Sequence, residues 1–240
     1  MVLDSLKKPP YEPLDKASIL DVSKKTAFLL ALASAKRVGE IHAFSSEIKH
    51  AEKWTAITIS TLPFFVAKNQ DPSKDDPRFG PFSVPALPRD SKGNRPLLCP
   101  VRAVKIYLRR TKKARSRCQR LFLNPRIPDK PVAKNTISSW IRDVIRQAHI
   151  NVNIKPPDKI RAHSVRGFGP SIQFSINRAL HQVLRAGTWA SQTTFTKAYL
   201  RTFTVKYLDK FSLELGPVVA AQSVVTCEKK TASTSSCERN

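Results

Sequence analysis

Acidic residues are scarce in this chain: 18 Asp and Glu stand against 42 Lys and Arg in 240 residues, a formal net charge of +24. Such an excess selects for a polyanionic partner, and nucleic acid is the first candidate. A ribosomal-type protein or a binder of anionic membranes would share it. Cysteine is sparser still. Cys99, Cys118, Cys227 and Cys237 are never spaced as Cys-x-x-Cys, so neither a zinc site nor a disulfide framework is expected. No apolar run approaches the ~18 residues of a membrane span. The opening MVLDSLKKPPYEPL lacks the apolar centre of a secretory leader, and no internal repeat is visible. These absences predict a soluble, intracellular protein with reduced thiols. The hydrophobic share of 41% is ordinary for a globular domain and excludes a wholly disordered basic tail. The length suffices for one sizeable core.

Residues 1–16, rich in Pro and Lys, read as an N-terminal arm. Residues 17–36 read as a helix, with Asp21 or Ser23 to cap its start and residues 27–33 apolar all round, hence buried. Arg37 follows at once; an arginine there is either held by a carboxylate such as Glu40 or aimed into a cleft. Residues 56–61 alternate like a half-buried strand. Residues 64–68 (FFVAK) read as a second strand and 82–85 as a third, a small antiparallel meander. Lys68 ends its middle strand, where a lysine ordinarily guards a sheet edge.

Pro100 opens a helix with Val101, Val104, Tyr107 and Leu108 on one face. It runs into a basic block, residues 109–117, that is a phosphate contact, a nuclear-import signal or a solvated face. Residues 120–124 form a short apolar element. Over 135–149, Ile137, Trp140, Ile141, Val144, Ile145 and Ala148 fall at helical spacing, which puts Trp140 in the core. After Pro156-Pro157, His163 and Arg166 stand three apart and share a face if that segment is helical. Residues 172–176 and 179–184 read as short helices ending at Gly187. From about residue 217 the composition drifts to Ser, Thr, Val and Lys, which predicts a disordered tail over 209–240.

Arg37, Lys68, His163, Arg166, Trp189 and Tyr199 occur in that order. With the surrounding LLALASAKRVGEIHAF, LCPVRAVKIYLRRT, TISSWIRDVIRQAH, AHSVRG and TWASQTTFTKAYL, they make residues 10–208 resemble the catalytic domain of the tyrosine recombinases. This is the phage-integrase-like family that shares its chemistry with type IB topoisomerases, and the stretches look most like the recombinases of DIRS-like retrotransposons. The resemblance implies an α+β fold over 17–208, mostly helical, with a small three-stranded antiparallel sheet. It implies site-specific recombination and integration of double-stranded DNA by a homo-tetramer on paired sites, in the nucleus. No cofactor, metal, membrane or small-molecule substrate is implied.

Physical chemistry gives the resemblance its logic. Metal-independent cleavage of a phosphodiester needs a nucleophile, charge clamps for the non-bridging oxygens, and a proton donor for the leaving 5′ oxygen. Tyr199 would be the nucleophile, giving a 3′-phosphotyrosyl bond; a phenol is protonated at neutral pH, so a neighbour must accept its proton. Arg37 and Arg166 would clamp the oxygens, and His163 would transfer a proton or hydrogen-bond. Trp189 stands where many relatives have histidine, and its indole N–H can donate to a phosphate but cannot shuttle a proton. Lys68 matches the general acid, with Lys74 the alternative in the same loop. Tyr11, Tyr107 and Tyr207 lie outside the motif or on an apolar face. Three departures stand out. Gly169-Pro170 is expected to cut short the helix presenting Arg166, and residues 175–178 form a turn without glycine. The stretch ahead of Arg37 is too short for the N-terminal clamp domain of such recombinases, so weak, salt-sensitive DNA binding is expected. The rival reading is a DNA-binding remnant or domesticated protein of the same fold without chemistry. A ribosomal-type RNA binder explains the charge but leaves the ordered constellation to chance.

Overall fold

One helix, α2 (Ile19–Ser34), organises the molecule because its second half, residues 27–33, is apolar on every side. It packs against α4 (Pro100–Thr111), α5 (Lys134–Ile150) and α6 (Ser164–Ser175). Each fully buried Leu, Ile, Val or Phe contributes about 1.5–3 kcal/mol, and α2 alone buries Val22 and residues 27–33. Its start differs from the expected caps. Ser18 is the N-cap and accepts the Asp21 amide at 3.0 Å, while the Ser23 hydroxyl is spent inside the helix on the Ile19 carbonyl. The computed structural model describes residues 1–74, 76, 79–115, 118–127, 129–175, 179–187, 189 and 191–201. The tail over 209–240, Tyr207, Cys227, Cys237, the turn at 176–178 and residues 116–117 of the basic block lie outside them. Among the described residues, no helix is long and apolar enough to cross a membrane.

The N-terminal segment is more than an arm laid on the surface. After the one-turn α1 (Val2–Ser5), Leu6, Tyr11 and Leu14 enter the main core. Burial, then Asp21 and Asp143, push the Tyr11 phenol up to about 12. Lys25, fully buried on α2, donates to the Leu6 carbonyl at 2.7 Å and pairs with Glu12 at 2.5 Å. Arg102 of α4 grips the same carboxylate at 2.6 and 3.0 Å. Burial pulls Lys25 down to about 8 although Glu12 opposes the shift. Burial alone would raise the Glu12 carboxyl, but Arg102 and Lys25 outweigh it and hold the group below its ordinary range.

The α+β reading holds: a mostly helical body carries one three-stranded antiparallel sheet in the order β1 (Lys49–His50), β2 (Ala56–Ile59), β3 (Phe82–Pro85). Ile57 pairs with Val84 and Ile59 with Phe82, and these four face the core. On the outer face the Thr58 and Ser83 hydroxyls meet at 3.1 Å.

The membership of the sheet corrects the sequence reading, because residues 64–68 are not a strand. Pro63 offers no amide to a ladder, and the Leu62 amide is taken by the Ala43 carbonyl at 2.8 Å. Beyond it the chain bonds to itself: Phe65 to the Leu62 carbonyl, and Ala67 to the Gln70 side chain, each at 3.0 Å. Phe64 is 97% exposed, so no alternation of faces survives. The two polar residues of β1 supply the third strand instead.

α5 matches its periodicity, with Ile137, Trp140, Ile141, Val144 and Ala148 buried. Leu121, Phe122 and Leu123 of the short apolar element are buried too. The second correction concerns α6, which continues through Pro170 to Ser175 as one helix. Pro170 cannot donate to the Arg166 carbonyl four residues back, and the helix runs on past that one missing bond. Ser171 Oγ donates to the Gly167 carbonyl at 2.6 Å and Ser175 Oγ to the Ser171 carbonyl at 2.9 Å. The C-terminal helices α7 (Leu180–Ala186) and α8 (Gln192–Ala198) close a small second cluster of Ala35, Val183, Trp189 and Phe195.

Candidate active site

A cleft of about 920 Å³ opens between residues 37–40 just beyond α2, the 65–68 loop, the first turns of α5 and the segment before α6. Its walls carry Arg37, Lys68, Lys134, Arg142 and Arg161, against Glu40 as the one carboxylate. That carboxylate is committed to the protein: it accepts the Arg37 amide at 2.9 Å and lies 3.7 Å from the Lys36 ammonium. The cleft is therefore a concave cationic surface, suited to oxyanions with their counterions displaced.

Arg37 comes to this wall through the chain reversal after α2. Ala35, the C-cap, holds a left-handed conformation at φ +52°, and α3 (Val38–His42) begins immediately after Arg37. Both readings of Arg37 apply. Its Nη1 stands 3.8 Å from Glu40, sealed from solvent and without a hydrogen-bond partner among the described residues, while other parts of the side chain line the cleft. With its amide oxygen turned toward the guanidinium, Asn69 accepts from Arg37 Nη2 at 3.2 Å and donates to the Lys68 carbonyl at 3.2 Å. This ties the Lys68 loop to Arg37. Lys68 is thus a turn residue rather than a strand terminus, and it still reaches the cleft. Lys74 does not line it and pairs with Asp71 at 3.4 Å on the surface.

His163 sits just ahead of α6 on the opposite wall, and its Nε2 is hydrogen-bonded to the Tyr199 hydroxyl. Burial first, then the charges of Arg166, Arg37 and Lys68, hold the imidazole below its ordinary range. With its basicity lowered in this way, the imidazole is uncharged at neutral pH, the form able to accept a hydrogen bond from the phenol. Tyr199 follows α8 directly, as its C-cap. Its backbone is seated on α6: a Cβ placed on Gly167 would lie 2.8 Å from the Tyr199 carbonyl oxygen and 3.0 Å from its Cβ. Ser171 Oγ lies 3.1 Å from the same carbonyl and accepts the Arg201 amide at 3.0 Å.

Arg166 and Trp189 form a layer behind this front. Arg166 is only 2% exposed; its Nε donates to the Ala35 carbonyl at 2.8 Å and its Nη2 to the Gly187 carbonyl. Its guanidinium covers the Trp189 ring at 4.6 Å and the Tyr199 ring at 5.4 Å. Burial, with Arg37 adding, pulls it down to about 10 against the opposing Glu40 and Tyr199. Trp189 is buried among Phe195, Tyr199 and Arg166, with its Nε1 sealed from solvent. The indole N–H expected to be able to donate to a phosphate is enclosed in this structure, and the ring lies against that of Tyr199 at 5.1 Å. Gly187 makes this placement possible, since a Cβ there would fall 1.6 Å from the Trp189 ring.

All six candidate residues thus belong to one cluster, in two layers. Sequence reasoning missed Gly167, Gly187 and Ser171, whose roles are backbone contacts without a side-chain signature. It also missed Lys134 and Arg142 as cleft residues. Among the described residues no group of three or more His, Cys, Asp or Glu is placed to hold a metal ion.

No protein-family model matches the chain, and no curated protein matches it. Among solved structures it superposes on the crystal structure of XerA recombinase with a TM-score of 0.48 and 18% identity. The match covers 80% of this chain and 62% of that one, so the chain spans less than two thirds of its length.

Proposed function

We propose that this chain breaks and rejoins double-stranded DNA through a tyrosyl ester at Tyr199. The observation that carries the reading is the Tyr199 hydroxyl bonded to a neutral His163 at the edge of a cleft lined by Arg37 and Lys68. In the proposed step the Tyr199 oxygen attacks phosphorus while His163 Nε2 takes the phenolic proton. The bond from phosphorus to the 5′ oxygen breaks, and Lys68 supplies the proton that makes the leaving group a hydroxyl. Arg37, whose side chain lines the cleft, would turn its guanidinium to a non-bridging oxygen. Reversal rejoins the strand without an external energy source, because the ester keeps the energy of the broken bond. On sequence resemblance we extend this to site-specific recombination of the DIRS-like retrotransposon kind, by a homo-tetramer on paired DNA sites in the nucleus.

A second reading, a DNA-binding protein of the same fold without chemistry, draws on one observation. Arg166 donates to two backbone carbonyls and is nearly sealed, which is not the posture of a clamp open to substrate. One assay separates the two. The protein is incubated with a nicked suicide duplex and resolved on a denaturing gel. A covalent protein–DNA adduct, absent in Tyr199→Phe, is the expected result. DNA binding without any adduct would replace the first reading with the second.

A further inference from the structure

The most exposed large apolar side chain among the described residues belongs to the residue that immediately precedes a wall of this cleft. Phe64 is 97% exposed, whereas no other large hydrophobic exceeds the 54% of Ile154. Its loop is held at both ends, by the Leu62 amide on the Ala43 carbonyl at 2.8 Å and by the Ala67 amide on Gln70 at 3.0 Å. The next residues, Phe65, Val66 and Lys68, form one wall of the cationic cleft. An aromatic ring in water on a pinned loop, next in the chain to the wall of a cationic cleft, fits a ligand that is anionic outside and apolar behind. Stacked base pairs behind phosphates have that layout. An anionic bilayer shares it in outline, but the surface here is concave, with a single aromatic tip beside it, where a bilayer takes a broad apolar face.

We propose that Phe64 is a wedge that enters the base stack of duplex DNA beside the phosphate held in the cleft. Partial unstacking there bends the duplex toward the protein and frees the strand around the reacting phosphate to adjust. The wedge reads deformability rather than base edges, so easily unstacked pyrimidine–purine steps are preferred at that position. This inference rests on the cleft being a DNA site.

The test uses the full chain carrying Tyr199→Phe, so that binding is read without cleavage, and duplexes with 2-aminopurine moved one position at a time through the bound region. The expected result is a fluorescence rise at one or two adjacent positions that disappears when Phe64→Ala is added. Affinity should fall about tenfold, the lower end of what burying a phenyl ring gives, while the slope of log affinity against log salt stays unchanged because no phosphate contact is lost. Phe64→Leu should keep part of the signal. Because the ring makes no native packing, neither substitution threatens the fold. Identical fluorescence at every position with and without Phe64 overturns the wedge. So does a defect of Phe64→Ala seen only in self-association or in pelleting with phosphatidylserine vesicles. Adduct formation by the unsubstituted chain with silent 2-aminopurine would sink the wedge alone. Absence of any DNA binding would sink the proposed function with it.

Discussion

Replacing Gly167 by alanine should separate the seat of the nucleophile from the stability of the fold. The new Cβ would lie 2.8 Å from the Tyr199 carbonyl oxygen and 3.0 Å from its Cβ. Ordinary contact between such atoms begins near ~3.5 Å, so something must yield by about half an ångström or more. α6 is the less free partner, since it packs on α2 in the main core. The Tyr199 segment belongs to the smaller cluster around Trp189 and Phe195 and will move. Two energies oppose each other: alanine is better than glycine inside a helix by about 1 kcal/mol, and overpacking costs about 1–3 kcal/mol. The net change in stability is therefore about 2 kcal/mol at most, a few degrees in Tm for a chain of this size. The consequence for chemistry is larger. A nucleophile displaced by about 1 Å loses on the order of 100-fold in rate. Single-turnover adduct formation on the suicide duplex measures this, with anisotropy for DNA binding and a thermal melt in parallel. Cleavage at the unsubstituted rate would refute the claim that Gly167 seats Tyr199. Cleavage lost together with a collapse in Tm would make Gly167 a packing residue instead.

Three further outcomes are expected. Glu12→Gln strands two cations, Lys25 and Arg102, at a buried position, so thermal or urea unfolding should show a loss of about 3–5 kcal/mol; a near-neutral result would mean the N-terminal segment is not anchored there. Cleavage should stay level through neutral pH and fall in acid, because the His163 imidazole is held below its ordinary range. By linkage, its contribution to stability is present above the unfolded histidine value of ~6.5 and is lost as pH falls through the lower folded value. An acid limb that persists unchanged in His163→Gln would exclude this group as its source. Lys68→Ala should slow cleavage by about 10²–10⁴ and be rescued by a bridging sulfur leaving group that needs no proton, while Lys74→Ala stays near the unsubstituted rate. Reversed behaviour would move the acid to Lys74.

What could be read from the chain follows the strength of its periodic signals. α5 was legible because six apolar residues repeat at helical spacing, and the core position of Trp140 followed from them. The apolar run of α2 announced a buried helix, and the alternation in β2 matched its pleat. The 64–68 segment has strand composition without a partner: its amides bond locally, and composition alone does not carry that information. β1, with two polar residues, was invisible because its pairing with Thr58 and Ile57 makes it a strand. Pro170 read as a stop because the rule for proline counts the lost amide, yet the helix carries that one missing bond and runs on to Ser175. In the candidate site the order of six residues was visible, but their layering was not. Whether Arg166 reaches a cleft or a carbonyl depends on Ala35 and Gly187, which no side-chain pattern advertises.

Ala35 links two parts of the site that are far apart in kind. Its left-handed turn, costly for any residue with a Cβ, sends the carbonyl inward to Arg166 and lets Arg37, two residues on, face the cleft. The two guanidinium groups are thus moored to one peptide turn, one spent behind the cleft on backbone carbonyls and the other at its wall. A shift of Arg37 would pull on the same short piece of backbone that anchors Arg166. The spacing of the pair is set by that backbone geometry.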